Sequence, residues 1–351
     1  MLRITLKQVA EQAGLSVAAV SQALSNTGNL SVKTRERIQH IARTMGYVPD
    51  PMLSMIVSTR LRNQRTDTAL TPIALVDLPI NSNWAAHLQQ MEANARREVL
   101  VKAQEYAQKL GYSVSGWVMD GASDKPSLAH TLYHRGVVGV IFNPRAGQLL
   151  HLSDEWKQFA VVVIGNDPVF RDLQQVNTDY YDMIQQAWLH VRALGYKRIG
   201  FAILRHDPEI YDDGVRQASA YKCMADTPTR YRVPCLSNAE LNDANAFLTW
   251  YRKYKPEVVI GFHVGMLWDL VYAGYSIPKD VAFVTLHHNN TPETMHGVSI
   301  AGFGSSENLM PAALDHMDQL IRHRMIGLNA PSRKLLLNAV WMEGDTCPQK
   351  L

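Results

Sequence analysis

From residue 72 onward, the chain alternates short apolar segments with amphipathic segments, and this pattern limits the possible folds more than any other feature. Each apolar segment is six to eight residues long, as expected for strands that are buried on both faces. Strands that alternate with helices predict parallel α/β sheets, whose ligands bind at the carboxyl ends of the strands. The predicted strands are 73–78, 112–119, 137–143, 160–166, 198–204, 257–262 and 281–286, and the predicted helices include 86–110, 179–194, 243–254, 265–273 and 307–326.

The composition of the chain indicates a folded protein of two or three domains. It has 351 residues, of which 46% are apolar and 19% are charged. It shows neither an apolar stretch as long as a membrane span nor the pattern of a secretory signal, and its three cysteines form no CxxC pair. We therefore expect a cytoplasmic protein with no membrane partner, no metal site and no other cofactor.

Positive charge is concentrated at the N-terminus. Residues 1–65 contain nine Lys and Arg against three acidic residues, whereas the rest of the chain is slightly acidic and the total net charge is only +3. A basic segment attached to a mildly acidic body suggests a head that binds a polyanion.

Three short helices are predicted within the first 46 residues. Thr5 and Gln8 form a capping-box pattern before the first helix, Ser16 caps a second helix over 17–25, and a third helix begins at Ser31. The residues expected to face inward are Leu6, Val9, Ala10, Ala13, Val20, Ala23, Leu24, Val32, Ile38, Ile41, Ala42 and Met45.

The opposite face of the second helix is small and uncharged. It consists of Val17, Ala18, Ser21, Gln22 and Ser25, and basic residues lie on both sides of it in the sequence. Side chains of this kind allow close approach to base edges in the major groove, and glutamine pairs with adenine. A plain three-helix core explains the inward residues but not this outward face, which is typical of a helix-turn-helix head that binds double-stranded DNA.

The segment ITLKQVAEQAGLSVAAVSQALSNTGNLSVKTRERIQHIARTMGYVPDP resembles the head of the LacI/GalR (lac-repressor) family of transcription factors. It matches the family patterns T-[IL]-x-x-V-A-x-x-A-G-V-S, V-S-x-x-L-[NS] and T-R-x-x-I…G-Y-x-P-N at nearly every position. The resemblance implies that Val17, Ala18 and Gln22 read bases. It also implies that a further set contacts phosphates or packs on the DNA backbone: Thr5, Ser16, Ser21, Asn26, Asn29, Ser31 and Tyr47.

Two positions depart from the family pattern. Gln22 replaces the usual arginine, so the preferred operator is expected to differ at one base position. In the hinge segment PDPMLSMIVSTRLR, Ile56 occupies the place of the leucine that the family inserts into the minor groove. The alternative for this segment is an apolar contact within a dimer.

The resemblance continues through the body, in RALGYKRIGF and in KPEVVIGFHVGMLWDLVYAGYSIPKDVAFVTL. It implies an all-α helix-turn-helix head followed by a periplasmic-binding-protein-like α/β body, in which two doubly wound parallel-sheet subdomains enclose an effector. A homodimer would bind a pseudo-palindromic operator. The expected boundaries are a head at 1–48, a hinge and linker at 49–71, and a body at 72–351 whose subdomains comprise about 72–167 with 299–327 and about 174–290 with 334–348.

Loops after the predicted strands supply the candidate effector contacts. These candidates are Asn81, Trp84, Arg145, Asp179, Arg216, His263 and His287. For each of them an ordinary role in packing, capping or solvation is the alternative. His263 and His287 stand where many family members have polar or acidic residues that hold a simple hexose, so the effector is expected to be an oligosaccharide, a sugar acid, a phosphorylated sugar or, alternatively, a nucleoside or purine.

An enzyme is the rival class of function. The pair His287 and His288 has no further ligand at metal-binding spacing, and the segment GFGSSEN is neither a G-x-S-x-G elbow nor a phosphate-binding loop. Paired catalytic carboxylates are not evident. The sequence therefore predicts a DNA-binding regulator without catalytic residues rather than a hydrolase or a sugar-processing enzyme.

Overall fold

A computed structural model describes thirteen ranges of the chain, which divides into two compact units, 1–69 and 70–351. The described residues are 4–24, 30–47, 70–78, 86–119, 127–144, 152–166, 170–206, 209–237, 243–288, 294–295, 297–304, 308–328 and 331–350.

The described part of the first unit contains three helices, as the sequence predicts: α1 (Leu6–Ala13), α2 (Val17–Leu24) and α3 (Val32–Thr44). The capping box before α1 is present, because the Gln8 amide nitrogen donates to Thr5 Oγ1 at 3.4 Å and the Thr5 amide nitrogen donates to Gln8 Oε1 at 2.8 Å. Gly14 ends α1 with a φ of +68°, a conformation that favours glycine.

The three helices share a small apolar core. Val9, Val20 and Ile38 are fully buried at its centre. Two side chains of α3 also fix the other helices, since Arg37 Nη2 donates to the carbonyl of Ala13 at 3.2 Å and Gln39 Nε2 donates to that of Ala23 at 3.0 Å.

One residue expected to be inside this core is exposed. Val32 is 69% exposed, so its predicted inward position is wrong. Val32 is the first residue of α3 and lies six positions before Ile38, which is about 240° away around the helix. The buried stripe of α3 therefore does not include it.

The second unit alternates strands and helices. Its helices are α4 (Ala86–Leu110), α5 (Leu128–His134), α6 (Tyr180–Ala193), α7 (Tyr211–Asp226), α8 (Ala244–Tyr254), α9 (Gly265–Tyr272) and α10 (Leu309–Arg322), with short 3₁₀ turns at Asp154–Gln158 and Thr229–Tyr231. Its strands are β1 (Thr71–Asp77), β2 (Tyr112–Val118), β3 (Gly139–Asn143), β4 (Ala160–Ile164), β5 (Gln174–Thr178), β6 (Ile199–Ala202), β7 (Val258–Gly261), β8 (Ala282–His288), β9 (Thr294–Met295), β10 (Val298–Ser299), β11 (Ala301–Gly304), β12 (Lys334–Leu337) and β13 (Val340–Met342).

Two larger sheets form the body. The first has the order β12-β5-β4-β3-β1-β2 and is parallel throughout, and the second has the order β13-β11-β8-β7-β6 with only β13 antiparallel. Apolar side chains from both faces of each sheet pack under the helices, with Phe142 buried in the first and Phe201 and Phe283 in the second. The predicted helical head and two-sheet α/β body are confirmed.

The boundaries between the two sheets differ from those expected. β5 pairs with β4 and β12, so it extends the first sheet rather than opening the second subdomain. β11 pairs with β8 in the second sheet, although 299–327 was expected in the first. β12 belongs to the first sheet, so only β13 of the tail joins the second. Within the described ranges the chain therefore passes between the sheets after β5, after β11 and after β12.

Candidate nucleic-acid interface and ligand site

The helix α2 has one buried face and one exposed face. Val20 and Ala23 are fully buried against the other two helices, whereas Val17, Ala18 and Gln22 are exposed. Ser21 lies on the same exposed face. The face that the sequence assigns to base reading is therefore a surface of small, uncharged side chains, with Val17 43% exposed.

Several predicted phosphate contacts cap helices. Ser16 Oγ accepts from the Ala19 amide at 3.2 Å, and Ser31 Oγ accepts from the Thr34 amide at 3.2 Å. Tyr47 is partly buried against the core of the head, while Thr5, Ser16 and Ser31 are exposed. A capping role is thus shown for Thr5, Ser16 and Ser31, and their contact with DNA stays a prediction. Asn26, Asn29 and Ile56, together with the hinge, lie outside the described residues.

In the body, four side chains surround the ring of Phe262, and we call these five residues the Phe262 cluster. The Arg216 guanidinium carbon lies 4.6 Å from the ring centroid of Phe262, and the ring centroids of His206, His263 and His287 lie 5.6, 6.1 and 6.2 Å away. Phe262 directly follows β7, His206 follows β6, and His287 is near the end of β8. Because these strands are parallel, the cluster lies at the carboxyl edge of the second sheet, where α/β proteins bind ligands.

A buried ion pair supports the cluster. Arg216 is 2% exposed and its Nη2 donates to Asp213 Oδ1 at 2.5 Å, while its guanidinium also lies 4.9 Å from the ring of Tyr180. Asp213 accepts further hydrogen bonds from the His206 amide at 2.9 Å and the Ile210 amide at 3.1 Å. Burial alone would raise the pKa of Asp213, but the hydrogen bonds from His206 and Ile210 and the charge of Arg216 lower it to about 2.

The histidines of the cluster differ in their surroundings. His263 Nδ1 accepts from the Gly265 amide at 3.0 Å, which fixes its ring at the start of α9. Desolvation lowers the pKa of His287, and the charges of Arg216, His263 and His206 lower it further. His287 is therefore neutral at pH 7 and can donate or accept a hydrogen bond.

A second polar group lies where α7 meets the first sheet. Asn177 Nδ2 donates to Asp212 Oδ2 at 3.3 Å, and Asn177 is only 5% exposed. Burial raises the pKa of Asp212, against the lowering effect of Arg216 and of hydrogen bonds from Asn177 and Asn166. Asp212 and Asp213 are adjacent in sequence, yet their pKa values shift in opposite directions, because Asp213 accepts hydrogen bonds from the His206 side chain and from the His206 and Ile210 amides, whereas burial dominates at Asp212.

The structure brings three of the predicted effector residues together, namely Arg216, His263 and His287. Asp179 is the N-cap of α6 and accepts from the Asp182 amide at 2.9 Å, so its capping role is shown and its contact with an effector stays a prediction. Asn81, Trp84 and Arg145 lie outside the described residues.

The sequence analysis missed Phe262, His206, Asp213 and Tyr180. The signal for two of these residues was present, because His206 follows the predicted strand 198–204 and Phe262 is the last residue of the predicted strand 257–262. Asp213 and Tyr180 gave no comparable signal, since their roles depend on contacts with Arg216 across the fold.

Residues 5–50 match the family model described as "Bacterial regulatory proteins, lacI family". The head of the chain therefore carries the sequence signature of the lacI family. The repressor CytR of Escherichia coli is 48% identical over 48 residues, which is 14% of each chain, and the regulator PtxS of Pseudomonas plecoglossicida is 28% identical over 56% of this chain and 53% of its own. The matches cover only 14% to 53% of the length of the curated relatives.

A solved structure supports the fold described above. The crystal structure of the lac repressor dimer bound to operator and the anti-inducer ONPF has a TM-score of 0.55, with 15% identity, and the match covers 99% of this chain and 100% of that one. At this identity the likeness concerns the fold.

Among the described residues, no helix has the length and apolar character required to cross a membrane. Within the same ranges, no three His, Cys, Asp or Glu side chains are grouped so that they would hold a metal ion.

Proposed function

We propose that this chain is a lacI-family, sequence-specific DNA-binding transcriptional regulator that acts as a homodimer and represses genes of carbohydrate use. The observation that carries this proposal is the exposed, uncharged face of α2 on a capped three-helix head. Small side chains on an exposed second helix suit entry into the major groove, and the basic residues of the head suit phosphate contact. The lac repressor, which this chain resembles in fold, is a dimer when bound to its operator, and this supports the same arrangement here.

The test is a selection of binding sites from random double-stranded DNA with the full-length protein. We expect an inverted repeat whose binding weakens steeply as the salt concentration rises, because phosphate contacts release counterions. Recovery of no palindromic preference would contradict the proposal.

Gln22→Ala should relax the preference of the protein at one base position per half-site. A bidentate glutamine–adenine pair contributes about 1–3 kcal/mol of discrimination, and alanine removes both hydrogen-bonding groups. Repeating the selection with the variant measures the change. Gln12→Ala removes an exposed glutamine from α1, outside the reading face, and serves as the matched control. Equal preferences in wild type and Gln22→Ala would remove Gln22 from the base-reading residues.

We further propose that a sugar-like effector binds at the Phe262 cluster and that the chain binds it without converting it. An aromatic ring with the imidazole of His287 stacked beside it suits the apolar face and hydroxyl groups of a sugar. An effector that prefers one arrangement of the two subdomains shifts the population of the DNA-binding state. A cytoplasmic location follows from this role.

The effector proposal is tested by measuring the melting temperature of the protein against a panel of sugars, sugar acids, sugar phosphates and nucleosides. A ligand that binds only the folded protein raises the melting temperature in a concentration-dependent way. We expect at least one sugar derivative to do so and to change operator affinity, with no product formed from it on prolonged incubation. Stabilisation by nucleosides alone would instead favour the purine-type regulator, and turnover would favour an enzyme.

A further inference from the structure

A polar pocket of about 350 Å³ lies where the start of α7 meets the first sheet near β5 and β12, and we call it the crossover pocket. Three separate parts of the chain form it: the segment between β4 and β5, the start of α7, and the segment that leads into β12. Its lining residues are Asn166, Arg171, Gln175, Tyr211, Ser332, Arg333 and Lys334. None of them belongs to the Phe262 cluster.

The charged side chains of this pocket are all basic. Arg171 has only a weak, exposed contact with Asp172, with 4.0 Å between Nε and Oδ2. In the described ranges, Arg333 and Lys334 form no ion pair, and the Lys334 ammonium lies 5.7 Å from the ring of Tyr211. Three cations without a strong counter-charge attract an anion, and two arginines favour a carboxylate or a phosphate.

Two of the residues that line the pocket carry buried acceptors without partners. Gln175 is 3% exposed, and its Nε2 donates to the carbonyl of Phe170 at 2.7 Å, which leaves Oε1 pointing elsewhere. That Oε1 is buried and has no hydrogen-bond partner among the described residues, and the same is true of Oδ1 of Asn166, which is 8% exposed. Buried acceptors without partners are unfavourable, so a bound group with O–H or N–H donors would relieve both.

We propose that the crossover pocket binds a small anion that also carries hydroxyl groups, such as a sugar phosphate or a sugar acid. The anionic group lies between Arg171, Arg333 and Lys334, and the hydroxyl groups donate to Gln175 Oε1 and Asn166 Oδ1. A simple anion satisfies only the first set of contacts and a neutral sugar only the second. The combination of cations and unpartnered acceptors among the lining residues therefore selects a ligand with both features.

The position of the pocket gives this ligand a regulatory consequence, which rests on the proposed function. β5 and β12 belong to the first sheet, whereas α7 packs on the second. A ligand held by Arg333 and Gln175 on one side and by Tyr211 on the other connects the two halves of the body. It stabilises the arrangement in which these residues are close together, independently of the Phe262 cluster.

The experiment is isothermal titration calorimetry on the full-length protein with glucose 6-phosphate, gluconate, glucose and inorganic phosphate. We expect glucose 6-phosphate or gluconate to bind at least about tenfold more tightly than glucose and than phosphate, because only they use both sets of contacts. The double variant Arg333→Gln/Lys334→Gln should weaken that binding by about tenfold or more. Both side chains are exposed, so the fold should be retained.

The matched control is Arg252→Gln/Lys253→Gln, an adjacent exposed pair on α8 in which Lys253 also lies over a tyrosine ring, that of Tyr254. It should bind the anionic ligands like wild type. The inference is overturned by failure of both anionic ligands to bind, by equal affinity for inorganic phosphate, or by loss of binding in the control variant. It is also overturned if His287→Gln abolishes the binding while Arg333→Gln/Lys334→Gln leaves it intact. None of these results affects the DNA selection, which tests the proposed function separately.

Discussion

Asp213→Ala should lower the free energy of unfolding of the body by about 3–5 kcal/mol, because it leaves the buried Arg216 guanidinium without its counter-charge. It also removes the acceptor of the His206 and Ile210 amides. Urea unfolding followed by tryptophan fluorescence measures the loss, and all seven tryptophans lie in the body, so the signal reports that unit.

Asp212→Asn is the matched control for this prediction. Asp212 is the neighbouring carboxylate, but burial raises its pKa, so its ionised form is not favoured by the fold. Removing its charge should change the stability by about 1 kcal/mol or less. A destabilisation of Asp212→Asn as large as that of Asp213→Ala would show that the ion pair is not the cause.

The same ion pair makes the stability of the body depend on pH in a defined window. The pKa of Asp213 is about 2 in the folded protein, below its ordinary value of 3.8, so its contribution is present above about pH 4 and is lost as the pH falls towards 2. Asp213→Asn lacks this titration, and its unfolding free energy should fall less steeply than that of wild type across this window.

Ile38→Ala should abolish DNA binding by unfolding the head. Ile38 is fully buried in a core supplied by three short helices, and truncation of a buried isoleucine costs about 2–5 kcal/mol. A unit of this size has little stability to lose. We expect affinity for the selected palindrome, measured by fluorescence anisotropy, to fall by at least about tenfold, since 1.4 kcal/mol is a factor of ten. Amide hydrogen exchange in α1–α3 should become faster.

Val32→Ala on the same helix provides the control, because Val32 is 69% exposed and lies outside the core that buries Ile38. It should bind DNA like wild type. The tryptophan-detected unfolding of the body should be the same in both variants. Wild-type affinity in Ile38→Ala would mean that the described core does not hold the head together.

The continuous apolar strands were predictable from the sequence, whereas the polar ones were not. β5 has the sequence QQVNT, and its Gln174, Gln175 and Asn177 are each at most 5% exposed. Gln174 Nε2 donates to the carbonyl of Pro331 at 2.8 Å, a partner 157 positions away in the chain. Such side chains are buried because distant residues satisfy their hydrogen bonds, and no local periodicity reveals those partners.

The short strand β11 was missed for a related reason. Its sequence AGFG is too short for a periodic pattern, and Gly302 is there because a Cβ atom would lie 2.3 Å from the carbonyl oxygen of Thr285. The need for glycine at position 302 comes from the neighbouring strand β8, so it cannot be recognised from the sequence of β11 alone. In the candidate site, similarly, positions after strands pointed to His263 and His287, but the pairing of Arg216 with Asp213 required the folded chain.

The three passages of the chain between the sheets determine when this protein can fold as it leaves the ribosome. The first sheet lacks its edge strand β12 and the covering helix α10 until residue 337 has been synthesised. The second sheet is completed later still. The Thr346 hydroxyl donates to the carbonyl of Phe283, and the Tyr196 hydroxyl donates to that of Pro348, so these contacts form only after residue 348 has been synthesised. The two halves of the body therefore need residues up to 337 and 348, so their apolar strands stay incompletely covered in the nascent chain long after the head, which is complete within its first 47 residues.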